Sequence, residues 1–374
     1  MRILIAGGGT GGHVIPGLAI ARELRDKHGA EVRFVGTARG LETKLVPEAG
    51  FQLELVRSGQ WKNVSLATKL RTAFDLPLGV LSCLGLIRKF KPHVVVGVGG
   101  YASGPGMLAA VLKRVPTLAY EPNAVPGLTN RRLGKWVSAA AVNFEETTKY
   151  FRDARVTGIP VRSEFFAIPE LGIELRNPQL RYIPSNDTRS STRLLVTGGS
   201  QGARVFNAVM PKIAKGLLDY VAGLTILHQA GAGAAEKTAE AYSASGADRV
   251  RWQVCEFLTD MPQCFAEADL ILCRSGATTV AELCAAGRPA VLVPFPGAAD
   301  DHQLRNAEVM QNIGAAHLRV QESDEGMASF LFSDLSALLM EHGVREAMGR
   351  KAKKLAKPDA LERVAAMIIE LARG

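Results

Sequence analysis

The sequence predicts an α/β protein built from two doubly wound, Rossmann-like domains in tandem. Three observations predict it. Short apolar strands alternate with amphipathic helices along all 374 residues, the pattern of parallel sheets covered on both faces. Glycine-rich turns stand directly after apolar strands, where open parallel sheets bind ligands. The order of elements also repeats. Residues 2–9 are echoed by 193–200, an offset of 191, residues 94–100 by 270–276, and residues 116–120 by 289–293. The strand ends of the two domains are expected to face each other across a cleft. The expected boundaries are residues 1–161 and 162–344, with a C-terminal helix within about 345–374 packing back near the first domain.

Taken in order, residues 2–6 read as a buried strand. The loop Gly7-Gly8-Gly9-Thr10-Gly11-Gly12-His13 follows, then a helix to about His28. This loop contains GxGxxG, yet a dinucleotide fold also needs an acid at the end of the second strand. That strand, 31–35, has Glu31 at its start and ends in Gly36-Thr37-Ala38, which argues against a nicotinamide enzyme. The loop still reads as an anion cradle, because its N–H groups and the helix dipole can face a diphosphate. His13 opens the helix, where the dipole favours the neutral ring; it is either a general base or a polar residue bonded to its own helix end.

Residues 66–90 read as a long helical region broken near Pro77. Strand 94–98 leads into a second glycine-rich loop, 99–106, and strand 117–120 into Glu121-Pro122-Asn123. His13, Tyr101, Glu121 and Asn123 are thereby expected along one rim. Residues 158–162 look like a domain junction, and 169–193 an irregular excursion. Then the pattern restarts. Strand 270–273 runs into Arg274-Ser275-Gly276-Ala277-Thr278-Thr279-Val280-Ala281-Glu282. Small residues let a ligand approach, Thr278 and Thr279 offer hydroxyls and N–H groups at a helix start, and Glu282 lies about a turn further on. Phosphate and ribose diol would suit these groups, and the plain alternative is a strand–turn–helix with a Ser cap and a solvated Glu. Strand 289–294 empties into a polar loop, 296–303, suited to a sugar. A helix over 359–372 closes the chain.

Composition narrows the function classes. With 47% hydrophobic and 22% charged residues the chain has the makings of ordinary globular cores. The apolar run 76–87 is too short to span a bilayer, and the first six residues are too short for a signal peptide. Cysteines 83, 255, 264, 273 and 284 are scattered without CxxC spacing, which suggests reduced thiols in a cytoplasmic protein and no zinc site. Residues 1–162 hold 23 Lys and Arg against 11 Asp and Glu, net +12, and the rest 22 against 25, net −3. A phosphorylated substrate or an anionic membrane explains a basic first half better than nucleic acid, since no aromatic-studded basic motif appears.

The motifs together resemble the MurG family. They are 7–13, Gly99-Gly100-Tyr101, 121–127, 158–162, 198–203, 274–282 and 301–307, in order and spacing, across almost the whole chain. One departure is Pro122, where the family is expected to carry Gln. The resemblance implies the GT-B architecture and an inverting transfer of N-acetylglucosamine from UDP-GlcNAc. The acceptor would be the C4 hydroxyl of undecaprenyl-diphospho-N-acetylmuramoyl-pentapeptide, lipid I, giving lipid II. It also implies site residues. Glu282 would bind the ribose and Leu258 the uracil. Ser200, Ala277, Thr278, Thr279 and Arg162 would serve the diphosphate. Thr10, Gly11, Gly12, Asn123 and Gln303 would contact the GlcNAc, and Gly9, Gly100 and Tyr101 the acceptor. Inversion in one step needs a base on the acceptor hydroxyl, with His13 the first candidate and Glu121 the second; Glu121 could instead order the Asn123 loop. No Asp-x-Asp pair occurs, so transfer without metal or cofactor is expected. The implied location is peripheral, on the cytoplasmic face of the cell membrane, with cell-wall and division machinery as partners. Residues 66–91, apolar around Pro77 and flanked by Lys and Arg, are the expected membrane face. The alternatives are another GT-B enzyme acting on a lipid acceptor, a UDP-GlcNAc 2-epimerase-like enzyme, and a nucleotide-sugar sensor.

Overall fold

The computed structural model describes residues 1–56, 66–100, 102–171, 192–199 and 201–374, with the side chains of 66–74 outside that description. The chain divides into two units, one of Met1–Val161 with Lys357–Gly374, the other Arg162–Ala356.

The first unit holds a seven-stranded parallel sheet. Its strands are β1 (Arg2–Gly7), β2 (Glu31–Gly36), β3 (Gln52–Leu55), β4 (Val94–Gly99), β5 (Thr117–Glu121), β6 (Ala139–Val142) and β7 (Ala154–Val156), in the order β3-β2-β1-β4-β5-β6-β7. Runs such as Ile3-Leu4-Ile5-Ala6 and Val94-Val95-Val96 are buried on both faces, as strands between two helix layers must be. Ile3 pairs with Val32 on one side and Val94 on the other. The winding reverses beside β1, which puts the ligand crevice at the carboxyl ends of β1 and β4.

Five helices belong to the connections: α1 (Gly11–His28), α2 (Glu42–Glu48), α3 (Leu66–Phe90), α4 (Ser103–Leu112) and α5 (Leu128–Leu133). Leu18, Ile20 and Leu24 of α1 pack with Ile3, Ile5 and Val96 on one face of the sheet. Val80, Cys83 and Ile87 of α3 pack with Leu4, Ala6 and Val95 on the other. The terminal helix, Ala360–Arg373, completes the first face with Val364, Ala365 and Ile368 buried in it. The expected break in α3 at Pro77 does not occur. Pro77 is exposed, so water can serve the carbonyl that it leaves without a donor.

The second unit repeats the plan with six parallel strands: β8 (Arg193–Thr197), β9 (Thr225–Gln229), β10 (Trp252–Cys255), β11 (Leu270–Cys273), β12 (Ala290–Leu292) and β13 (Ala316–Leu318). Their order is β10-β9-β8-β11-β12-β13. So β8 takes the place of β1, β11 that of β4 and β12 that of β5, and the repeat in sequence is a repeat in topology. The helices here are α6 (Ser163–Phe166), α7 (Arg204–Tyr220), α8 (Ala235–Ala244), α9 (Met261–Glu267), α10 (Ala277–Ala286), α11 (His302–Asn312), α12 (Asp324–Met340) and α13 (His342–Lys353). Phe206, Val209, Ile213 and Leu217 of α7 meet Leu331 and Leu335 of α12 in the core. The return to the first unit is narrower than 345–374, because α13 stays with the second. Arg345 at its start donates to the carbonyls of Leu338 and Leu339, and Gly349 lies so close to the Gly287 carbonyl that a Cβ would collide with it.

Candidate active site

In the second unit the carboxyl end of β11 is locked before it reaches α10. Arg274 Nη1 donates to the carbonyls of Val293 and Pro294 and to Gln321 Oε1, at 2.9–3.0 Å. Its guanidinium lies 5.3 Å from the Phe206 ring and 5.4 Å from the Phe295 ring, and burial lowers its pKa to about 10. Ser275 Oγ donates to the Gln303 carbonyl at 2.8 Å, and Asn306 Nδ2 donates to the Ser275 carbonyl at 3.1 Å. These bonds tie the β11 turn to the start of α11. Gly276 then caps α10, so Ala277, Thr278 and Thr279 form its first turn, with the N–H groups that a helix leaves unsatisfied. Glu282, a turn further along, is half-buried. Burial pushes its carboxyl up to about 7, against the pull of the Arg162 charge. A carboxyl so raised is short of hydrogen-bond donors, and a ribose diol supplies two.

The other residues expected to meet the donor are placed as follows. Gln303 spends its amide oxygen on the Phe295 N–H at 3.0 Å, which orients its NH2 group. The preceding turn holds Asp300 and Asp301 at φ 56° and 53°, left-handed backbone that Asp tolerates better than most residues. Leu258 is buried at 3% exposure, and Arg162 is exposed at the N-cap of α6. Ser200 lies outside the described residues, but the loop around it is held by a neutral clasp. Gly199 N–H donates to Thr197 Oγ1 at 3.2 Å, Thr197 Oγ1 donates to Gln229 Oε1 at 3.1 Å, and Gln229 Nε2 donates to the Gly199 carbonyl at 3.1 Å. Gly202, at φ 70°, sits against the Ala230 carbonyl with no room for a Cβ.

In the first unit the site is the rim formed by β1, β4 and β5. His13 is half-buried in the first turn of α1, and its Nδ1 lies 3.0 Å from the Val98 carbonyl. A carbonyl can only accept, so Nδ1 carries the proton and Nε2 is the basic nitrogen of the neutral ring. Gly99 must be glycine here, since a Cβ would stand 2.5 Å from Nδ1 of His13. Gly100 packs on the Gly8 carbonyl, so the two glycine loops touch backbone to backbone. Tyr101 lies outside the described residues. Glu121 is buried at 3% exposure and accepts four hydrogen bonds, from Asn123 N–H and Nδ2, Gly127 N–H and Asn130 Nδ2, at 2.9–3.1 Å. Burial raises its pKa, and these four donors oppose the shift. None of them comes from residue 122, so proline there takes nothing from this network.

Three residues that hold the rims have no signature in the sequence. They are Asn130 beneath Glu121, Gln229 beneath the second-unit loop, and Glu42. Glu42 is 1% exposed, and its carboxylate accepts from Gly9 N–H at 2.6 Å, from Thr37 N–H at 2.9 Å and from Thr37 Oγ1 at 2.9 Å. Burial would raise its pKa, but these donors hold it below the ordinary range. The first glycine loop is therefore not an open anion cradle at Gly9, because an internal carboxylate already takes that N–H. The acid is not at the end of β2; it lies six residues past Gly36 and folds back.

Comparison with known proteins gives the family. Residues 3–142 match the glycosyltransferase family 28 N-terminal domain, and residues 193–364 match the family's C-terminal domain. The protein is thus a glycosyltransferase. A crystal structure of MurG from Acinetobacter baumannii superposes with a TM-score of 0.79 at 30% identity, covering 99% of each chain. The UDP-N-acetylglucosamine–N-acetylmuramyl-(pentapeptide) pyrophosphoryl-undecaprenol N-acetylglucosamine transferase of Solibacter usitatus is 43% identical over 372 residues, 99% of this chain and 96% of that protein. The protein of that name from Shewanella loihica is 40% identical, over 99% of this chain and 97% of its own length. The chain belongs to the MurG family. A UDP-GlcNAc 2-epimerase from Neisseria meningitidis shares the fold alone, with a TM-score of 0.65 at 15% identity.

Proposed function

We propose that the MurG reaction proceeds in this chain by one inverting displacement, with His13 as general base and helix-end donors in place of a metal. The enzyme moves GlcNAc from UDP-GlcNAc to the C4 hydroxyl of undecaprenyl-diphospho-MurNAc-pentapeptide, converting lipid I to lipid II in peptidoglycan synthesis. Nε2 of His13 takes the proton from that hydroxyl as its oxygen attacks the anomeric carbon from the face opposite UDP. The bond to the UDP oxygen breaks, and the growing charge on the diphosphate meets the N–H groups and hydroxyls of Thr278 and Thr279, with Ser200 and Arg162. Glu282 holds the ribose, Leu258 lines the uracil, and the NH2 of Gln303 faces the GlcNAc with Asn123, Thr10, Gly11 and Gly12. Gly9, Gly100 and Tyr101 meet the acceptor. Glu121 orders the Asn123 loop, because its carboxylate is already engaged by four donors.

The observation that carries the function is full-length likeness to enzymes of that name, together with a half-buried carboxylate one turn behind a helix N-terminus. Incubation with UDP-GlcNAc and a short-chain muramyl lipid tests it. GlcNAc-bearing lipid is the expected product; free ManNAc would favour an epimerase, and binding of UDP-GlcNAc without turnover a sensor.

The acceptor's lipid tail requires the enzyme to work at a membrane surface. No helix among the described residues is long and apolar enough to cross a membrane. Instead, large apolar side chains stand in water on adjacent helices of the first unit: Leu78 (46% exposed) and Leu81 (63%) on α3, Leu112 (62%) at the end of α4, and Trp136 (66%) after α5. Arg88, Lys89, Lys91, Lys113, Arg114, Arg132 and Lys135 are placed along the same helices and their ends. Apolar groups entering the headgroup boundary, ringed by cations, suit an anionic cytoplasmic leaflet. Lys62 and the side chains of Lys69, Leu70, Arg71 and Phe74 lie outside the described residues. Cell-wall and division proteins working at the same surface are the natural neighbours.

A further inference from the structure

Glu42 is a buried carboxylate to which the reaction above gives no part. In a dinucleotide fold the acid that follows the second strand holds a ribose of the ligand. Here the acid turns back and holds the protein's own loop. Glu42 accepts the Gly9 N–H at 2.6 Å, and the Leu41 N–H donates to the Gly9 carbonyl at 3.2 Å. Both backbone groups of Gly9 are thus clasped by the start of α2. Three glycines make space for the side chain, since a Cβ at Gly8, Gly36 or Gly40 would collide with it. The next residue along, Thr10, accepts from the N–H groups of His13 and Val14 at 3.1 Å each. The clasp therefore reaches the backbone of His13 through Gly9 and Thr10, while the ring is held from the other side by the Val98 carbonyl.

We propose that Glu42 is a positioning residue, whose carboxylate fixes the glycine loop and the first turn of α1 so that His13 meets the acceptor hydroxyl. The inference rests on His13 as the base. A loop released from its clasp by removal of the carboxylate shifts the imidazole by a fraction of its reach, and a misplacement of about 1 Å costs on the order of 100-fold in rate. The donor-binding unit is untouched.

The test is steady-state transfer by Glu42→Ala, Glu42→Gln, His13→Ala and the double variant, with circular dichroism and thermal melting as controls for folding and UDP titration as a control for the second unit. Glu42→Ala should lose about 100-fold in kcat, with the affinity for UDP, which lacks the sugar that Thr10 faces, within about twofold of the parent. Formate should restore part of that kcat by refilling the site lined by Gly9, Thr37 and three glycines, and should not help His13→Ala. The double variant should resemble His13→Ala alone, since both changes act on one group. Glu42→Gln keeps the volume but presents an NH2 to an N–H donor, so about a 10-fold loss without formate rescue is expected. If Glu42→Ala fails to fold, the Gln variant decides. Full kcat in the folded Glu42 variants, or losses that multiply with His13→Ala, would overturn the positioning role alone. Full kcat in His13→Ala would overturn the base reading, and this inference with it.

Discussion

The two glycine loops occupy equivalent places after the first strand of each sheet, yet they are held by opposite means. The first is clasped by a buried carboxylate, Glu42, and the second by a neutral Thr197–Gln229 pair. Charge explains the difference. A loop that is to receive a diphosphate must keep its N–H groups for the ligand, and a carboxylate beside it would repel that ligand. A loop that presents a neutral hydroxyl to a base has no such constraint and can use the stronger, charge-assisted clasp. On the proposed mechanism, the same Rossmann turn would serve as a donor clamp in one unit and as a rigid mount for a base in the other.

The largest expected effect tests the mount. His13→Ala should lower kcat by about 100-fold or more while KM for UDP-GlcNAc stays near that of the parent, as loss of a general base does. A rise in acceptor KM at constant kcat would make His13 a binding residue and remove the contrast between the loops. Next comes the clamp. Glu282→Ala removes two charge-assisted hydrogen bonds to the ribose, on the order of 2–4 kcal/mol of UDP binding, which calorimetric titration would read.

The raised carboxyl of Glu282 sharpens that test through pH. Its folded-state pKa near 7 lies above the ordinary 4.5, so the ligand-free protein loses stability as pH rises from 4.5 to 7 and stays lower above that range. Glu282→Gln should therefore raise the Tm of the ligand-free protein at pH 8 and leave it nearly unchanged at pH 4. UDP affinity of the parent should weaken as pH falls below 7, and the Gln variant should show no such slope from this residue. A Tm gain that is equal at both pH values would mean that burial does not raise this carboxyl.

A smaller effect concerns the outer surface of the first unit. The pair Leu78→Ser and Leu81→Ser should reduce co-sedimentation with anionic vesicles several-fold, and salt should release the parent protein, since each surface cation adds about 1 kcal/mol. Equal pelleting of both proteins would place the membrane face elsewhere. Last, and expected to be nil, is the effect of excess EDTA on transfer. Loss of activity restored by Mg²⁺ would show that helix-end donors do not suffice for the diphosphate.

Much of the candidate site in the second unit was legible because it is local. The turn 274–282 sits on one strand–helix junction, so spacing alone places Thr278, Thr279 and Glu282 on one helix start. The repeat of glycine-ended strands gave the topology for the same reason, since β1 and β8 lead windings that match over six strands. Pro77 misled because a proline marks a break only where its missing N–H cannot be replaced by water, and exposure is not written in the sequence. Glu121 shows the other limit. Two of its four donors come from Asn123, close in sequence, but Gly127 and Asn130 reach it only after the chain has turned.

By itself, then, the sequence determined the two-fold α/β plan, because apolar strand runs, glycine turns and helix starts are short-range features, and its ordered motifs carried the resemblance to the family and its reaction. Tertiary structure alone decided which acids are spent. Glu42, Glu121 and Glu282 are three glutamates in one chain. One is held ionised by a loop N–H 33 residues away, one is surrounded by four donors, and one, midway along a short helix, has no hydrogen-bond donor among the described residues. The physical reason is that a carboxylate's role depends on burial and on the donors that reach it, and both arise from segments that folding brings together.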